Sequence, residues 1–153
     1  MNEEHKERRV GTRQMVKNLL AERQEMLVAY CRLAGLEPYT LDKPVGPQLE
    51  EFCQLLMDYT AFAHFELYRR ISEGNERRRR VGQVASQVYQ EIADVTESAV
   101  RFNDKYDGSN RALKLESLPN DLSDLGECLA VRLELEDQLA ESLLHGIEEV
   151  DDR

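Results

Sequence analysis

Apolar residues recur along this chain at the three-and-four spacing of an α-helix in four long segments, with turn residues between them. In residues 12–34, Val16, Leu19, Leu20, Leu27, Tyr30, Cys31 and Ala34 form one stripe, and Gly35 stands where a glycine ends a helix. The linker "LEPYTLDKPVGP" follows and holds three of the four prolines, with Pro47 suited to the first turn of a second helix over about 47–73. A third helix is predicted over 78–106, on Val81, Val84, Ala85, Val88, Ile92, Val95, Ala99 and Phe102, and "DGSN" stops it. The fourth begins near Asn120 or Asp121 and runs to about Glu149 on Leu122, Leu125, Leu129, Leu133, Ala140, Leu143 and Ile147. Residues 109–118 have room for a short extra helix. No alternating strand pattern of useful length occurs. The pattern predicts an all-α fold, an antiparallel four-helix bundle with helices close to 40 Å long at about 1.5 Å per residue.

The second helix differs from the others in being apolar on two sides. Phe52, Cys53, Leu56, Tyr59, Ala63, Leu67 and Ile71 make the stripe expected of a core face. Leu55, Phe62 and Phe65 gather on roughly the opposite side, surround Asp58 and lead to Arg69. Either a further segment, 109–118 or the chain start, covers this second face, or it is a docking surface. In the second case aromatic anchors supply burial, and the carboxylate orients a basic partner.

At 153 residues the chain has the length of one domain, here 1–153, with residues 1–11 and 150–153 expected as flexible tails. A formal charge of -10 and a pI near 4.8 disfavour nucleic acid and anionic membrane as direct partners, because an acidic surface repels polyphosphate. A basic protein is the better electrostatic match. Cys31, Cys53 and Cys128 lie far apart in helical patterns, without zinc spacing, and read as reduced thiols. The N-terminal "MNEEHKERRVGTRQ" lacks a signal-peptide core, and no window reaches 18 consecutive apolar residues, so a cytoplasmic protein is expected.

A helical bundle invites a carboxylate-bridged metal site, yet such sites need an E-x-x-H on two helices or several histidines. The chain has only His5, His64 and His145, and no phosphate loop or nucleophile elbow. No metal, cofactor or catalytic residue is therefore expected. A bundle metalloprotein or enzyme using Glu136, His64 and Glu66 is the alternative from another class. Arg23 and Glu136 fall on the apolar stripes of the first and last helices and suit a structural ion pair across the bundle. His64, at the edge of the core stripe, is expected as a hydrogen-bonded core residue. "ERRRR", Glu76 to Arg80, is the one strongly basic run, placed where the helix macrodipole disfavours cations.

Three blocks, "MLVAYCRLAGLEP" (26–38), "LEEFCQLLMDY...HFELYRRI" (49–71) and "LSDLGECLAVRLELEDQLAESLL" (122–144), resemble the Rsd/AlgQ family of bacterial regulators of the housekeeping sigma factor. The order and spacing of the blocks carry the resemblance, which covers most of residues 23–147. It implies an all-helical bundle without catalytic activity that binds region 4, the C-terminal domain of the primary sigma factor. Occupying region 4 blocks its contacts with core RNA polymerase and with the -35 promoter element. The family's sigma-contacting positions carry over to Asp58 and Phe65; Leu55 and Phe62 come from the helical wheel alone. The chain departs from the pattern at Leu19, where relatives usually have tryptophan, and at Thr60 and Phe62, where they have small residues. The expected state is a monomer in a one-to-one complex, with a homodimer through the helix-2 face as the alternative.

Overall fold

The computed structural model describes residues 2–35, 45–68, 79–107 and 115–151, and side chains within 10–35, 45–66, 91–107 and 115–144. Four long helices account for nearly all of them: α1 (Asn2–Ala34), α2 (Val45–Phe62), α3 (Arg79–Tyr106) and α4 (Leu118–Asp151). There is no strand among the described residues. A π-helical turn, Ala63–Tyr68, prolongs α2, and a 3₁₀ turn over 115–117 leads into α4.

The helix ends follow local chemistry. Gly35 has φ 68° and donates its N–H to the carbonyl of Arg32 at 3.2 Å, closing α1 with a residue that needs no Cβ there. At its start α1 reaches back to Asn2, ten residues before the onset near residue 12 that the apolar stripe predicts. Those leading turns are polar, so periodicity carries no signal for them. The fourth helix starts at Leu118, ahead of the expected Asn120 or Asp121. Pro119, which has no N–H to leave unpaired, fits inside the first turn, and Leu118 is buried. By the same logic α2 takes Gly46 and Pro47 into its first turn.

Cross-helix contacts set the topology. Tyr30 of α1 packs edge-on against Phe52 of α2 at 5.8 Å, and Phe52 against Phe102 of α3 at 5.7 Å. Lys105 of α3 pairs with Asp121 of α4 at 2.6 Å, and the Tyr30 hydroxyl donates to the Leu122 carbonyl at 2.7 Å. In each case the end of one helix meets the start of another, so neighbours run antiparallel in an up-down-up-down bundle.

One core runs through all four helices. It includes Met15, Leu19, Met26 and Leu33 from α1, Leu49, Phe52, Leu56 and Tyr59 from α2, Ile92, Ala99, Phe102 and Tyr106 from α3, and Leu122, Leu129, Leu139 and Leu143 from α4. The seam of α1 is rotated from the expected stripe. Leu20 is 42% exposed, whereas Met26, Ala29 and Leu33 are buried. In α4, Leu133 lies at the flank of the core, and Leu135 and Leu139 fill the interior. A stripe read over long helices drifts, because seven residues are not a whole number of turns. The expected core positions Leu67, Ile71, Val81, Val84, Ala85, Val88 and Ile147 lie outside the described side chains.

Candidate functional site

The expected core stripe of α2 is buried where it is described, at Phe52, Cys53, Leu56, Tyr59 and Ala63. The second face divides. Leu55 and Phe62 are half-buried and lean on the core, whereas Phe65 is 65% exposed. Asp58 is exposed, and its Oδ1 accepts a hydrogen bond from Gln54 Nε2 one turn earlier at 2.9 Å. Asp58 therefore stands in water with one side held by a neutral amide, leaving its other lone pairs for a cation. Arg69 lies outside the described residues.

The change of helix type lies within this face. A π turn winds about 4.4 residues per turn, so side chains after Phe62 depart from the 3.6-residue wheel. Three steps in the wider winding displace Phe65 by about 50° from the line an α-helix would give it. His64 turns outward with it. Expected at the edge of the core, His64 is exposed, its ring edge-on to Phe65 at 5.2 Å. Thr60 adds to the local distortion, because its Oγ1 bonds back to the Leu56 carbonyl at 2.7 Å.

Behind this face lies a buried polar node to which every helix contributes. Arg23 of α1 places Nη1 3.6 Å from Glu136 Oε1 and 2.7 Å from Asp137 Oδ1. Tyr59 of α2 directs its hydroxyl at both carboxylate oxygens of Glu136, at 2.7 and 2.6 Å. Arg132 of α4 lies over the Tyr59 ring at 5.3 Å, with Nε 3.5 Å from Glu136 Oε2, and its Nη1 donates to Thr96 Oγ1 of α3. Arg132 and Glu136 are each 1% exposed. Burial pushes the Glu136 carboxyl above its ordinary value, further than the Tyr59 hydrogen bond and the two guanidinium groups pull it down. Burial, and then the neighbouring Glu136, push the Tyr59 hydroxyl up as well, so it stays a donor.

The apolar stripes pointed to Arg23 and Glu136, but not to Arg132, Tyr59 and Thr96 as their partners. Arg132 had one available signal, since it precedes Glu136 by one turn on the same helix. Gln54 as the partner of Asp58 had the same i, i+4 signal. The π turn had none in the apolar period.

Among the described residues no group of three or more His, Cys, Asp or Glu could hold a metal ion, and Glu136 is engaged by Tyr59, Arg23 and Arg132. None of the three cysteines is in a disulfide; Cys53 is buried, and Cys31 and Cys128 are half-buried. Arg77 and Arg78 of the basic run, and the side chains of Arg79 and Arg80, fall outside the described residues. Among the described residues no helix is long and apolar enough to cross a membrane.

Residues 1–144 match the family described as "Regulator of RNA polymerase sigma(70) subunit, Rsd/AlgQ". The chain is 33% identical over 137 residues to the regulator of sigma D of Yersinia enterocolitica serotype O:8, an alignment spanning 84% of this chain and 80% of that protein. It is 32% identical over 137 residues to its counterpart in Yersinia pestis, with 84% and 79% of the two chains covered. With the regulator of sigma D of Shigella boydii serotype 4 it shares 33% identity over 141 residues, 87% of this chain and 85% of the other. No solved structure matches the chain.

Proposed function

Because the chain belongs to the Rsd/AlgQ family of regulators of the RNA polymerase sigma(70) subunit, we propose that it acts as an anti-sigma factor through the outer face of α2. In this reading it binds region 4 of the primary sigma factor one-to-one, in the cytoplasm, by association and not by catalysis. Region 4 then loses access both to core RNA polymerase and to the -35 element, and housekeeping transcription falls.

The observation that carries the reading is a phenylalanine left 65% exposed in the turns following a solvent-facing aspartate. A large apolar side chain in water supplies the burial of a central anchor, and a neighbouring carboxylate selects a cation beside it. Leu55 and Phe62, half-buried at the flank, would widen the contact without being anchors themselves. The chain's formal charge of -10 suits a basic helix-turn-helix as partner, since opposite fields speed encounter and disfavour wrong orientations.

A pull-down with the isolated region 4 domain of the host's own primary sigma factor tests the face. Asp58→Arg and Phe65→Ala are each expected to lose the complex, while helical content and melting transition stay as in the parent. Truncating an anchor of this type typically costs about 2 kcal/mol or more. Full retention of region 4 by both variants would refute the proposed face.

A further inference from the structure

Asp58 and Tyr59 are consecutive on α2, one exposed and the other in the core. Their side chains leave the helix axis about 100° apart, so any rotation of α2 about its axis moves both together. Tyr59 is tied to Glu136 by the two hydroxyl contacts, and Glu136 is held in turn by Arg23 of α1 and by Arg132 of its own helix. Arg132 is anchored to Thr96 of α3. The rotation of α2 is therefore referred, through one phenol, to all three other helices.

We propose that Tyr59 and Glu136 are positioning residues for the docking face, setting the rotation of α2 and with it the direction in which Asp58 is presented. The proposal rests on the reading of that face as a sigma-binding surface.

Three observations carry it. The contacts of α2 with the rest of the core are mainly apolar, through Leu49, Phe52 and Leu56, and to the inward side they fix the Tyr59–Glu136 bond adds a direction. Thr60, also buried, gives its hydroxyl hydrogen to the carbonyl of Leu56 in its own helix and not to a neighbouring one. The π turn interrupts the regular ladder from Ala63 onward, so a clamp on the rotation of the Asp58 segment must act before it, where Tyr59 lies.

The energetics agree. The guanidinium groups and the phenol do not fully offset the desolvation of Glu136, whose carboxyl stays above its ordinary value. A buried charge cluster of this kind adds little stability compared with apolar packing of the same volume. What it adds is direction.

The test is a double-mutant cycle read by calorimetry at 20 °C and two salt concentrations, with region 4 as titrant and circular dichroism showing each variant folded. Its members are the parent, Asp58→Ala, Tyr59→Phe and the double variant; Glu136→Gln replaces Tyr59→Phe should the latter not fold. Tyr59→Phe keeps the ring over Arg132 and removes only the donor. It is expected to weaken binding by roughly threefold to tenfold and to flatten the salt dependence, with no further effect once Asp58 is alanine. A merely structural residue would change neither the salt slope nor the coupling. Parent-like binding by Tyr59→Phe while Asp58→Ala binds weakly would overturn the proposal and leave the docking face standing, as would equal losses in both Asp58 backgrounds. Parent-like binding by Asp58→Ala would overturn the face itself.

Discussion

Three carboxylates on this protein meet different surroundings, and pH separates two of them. Asp121 accepts hydrogen bonds from Lys105 Nζ and the Tyr106 hydroxyl. Burial alone would raise its carboxyl, but those two donors hold it below the ordinary value. A depressed acid contributes stability that is complete above its unfolded value and is lost as the pH falls through the folded one. The melting temperature of the parent should therefore exceed that of Asp121→Asn near neutrality and approach it in acid, below about pH 4. Glu136 has the opposite sign. Its folded value is raised, so the parent should gain on Glu136→Gln as the pH falls from neutrality toward the ordinary carboxyl range. Glu136→Ala is the severe change, because it leaves Arg132, 1% exposed, without its carboxylate. Denaturant unfolding should register a loss of about 3–5 kcal/mol. Asp58, the third, lies in water against Gln54 and is free to serve a partner. At this scale the apolar stripes marked Arg23 and Glu136 as charges at core positions. Tyr59 could be read only as another core aromatic, because nothing in helical spacing says which hydroxyl faces a carboxylate on another helix.

Helices are where the amino-acid pattern is most legible and where its drift is visible. The core side of α2 follows the 3.6-residue period through Ala63, because Phe52, Leu56 and Tyr59 are large enough to fix which side faces inward. In α1 the spacing placed Leu20 in the core stripe and left Met26 out of it, and packing against the neighbouring helices reverses that choice. The π turn escaped for a different reason. Its wide winding changes the geometry without changing the composition, so His64 and Phe65 face outward where an α-helical wheel puts His64 at the core's edge. A second effect between elements appears where α1 crosses α4. A Cβ on Gly126 would run into the Tyr30 hydroxyl and come within 3.1 Å of Cζ of its ring, and Tyr30 is fixed by its bond to the Leu122 carbonyl and its contact with Phe52. Alanine in a helix interior normally gains close to 1 kcal/mol over glycine. Here Gly126→Ala should instead destabilise, by about 1–3 kcal/mol in denaturant unfolding, because the crossing has no room to widen cheaply.

For the molecule as a whole, the four helices of the described residues close on one core, and the polar node ties them together. The bundle presents a net negative surface, and the α2 face adds an exposed aromatic to it. Fold class was legible from the four stripes and the turn residues between them; on the proposed docking face the wheel marked Asp58 and Phe65, both exposed, while the helix geometry between them belongs to tertiary packing. An acidic protein that binds a basic domain through Asp58 must do so less tightly as salt rises, since screening acts on exposed charges beyond about 10 Å at 0.1 M. The most direct measurement is a calorimetric titration of region 4 of the host's primary sigma factor into the full chain at two salt concentrations, for the parent and for Asp58→Arg. The account predicts a one-to-one complex that weakens with salt and disappears in Asp58→Arg while the variant melts as the parent does. Undiminished binding by Asp58→Arg, or no binding by the parent, would contradict it.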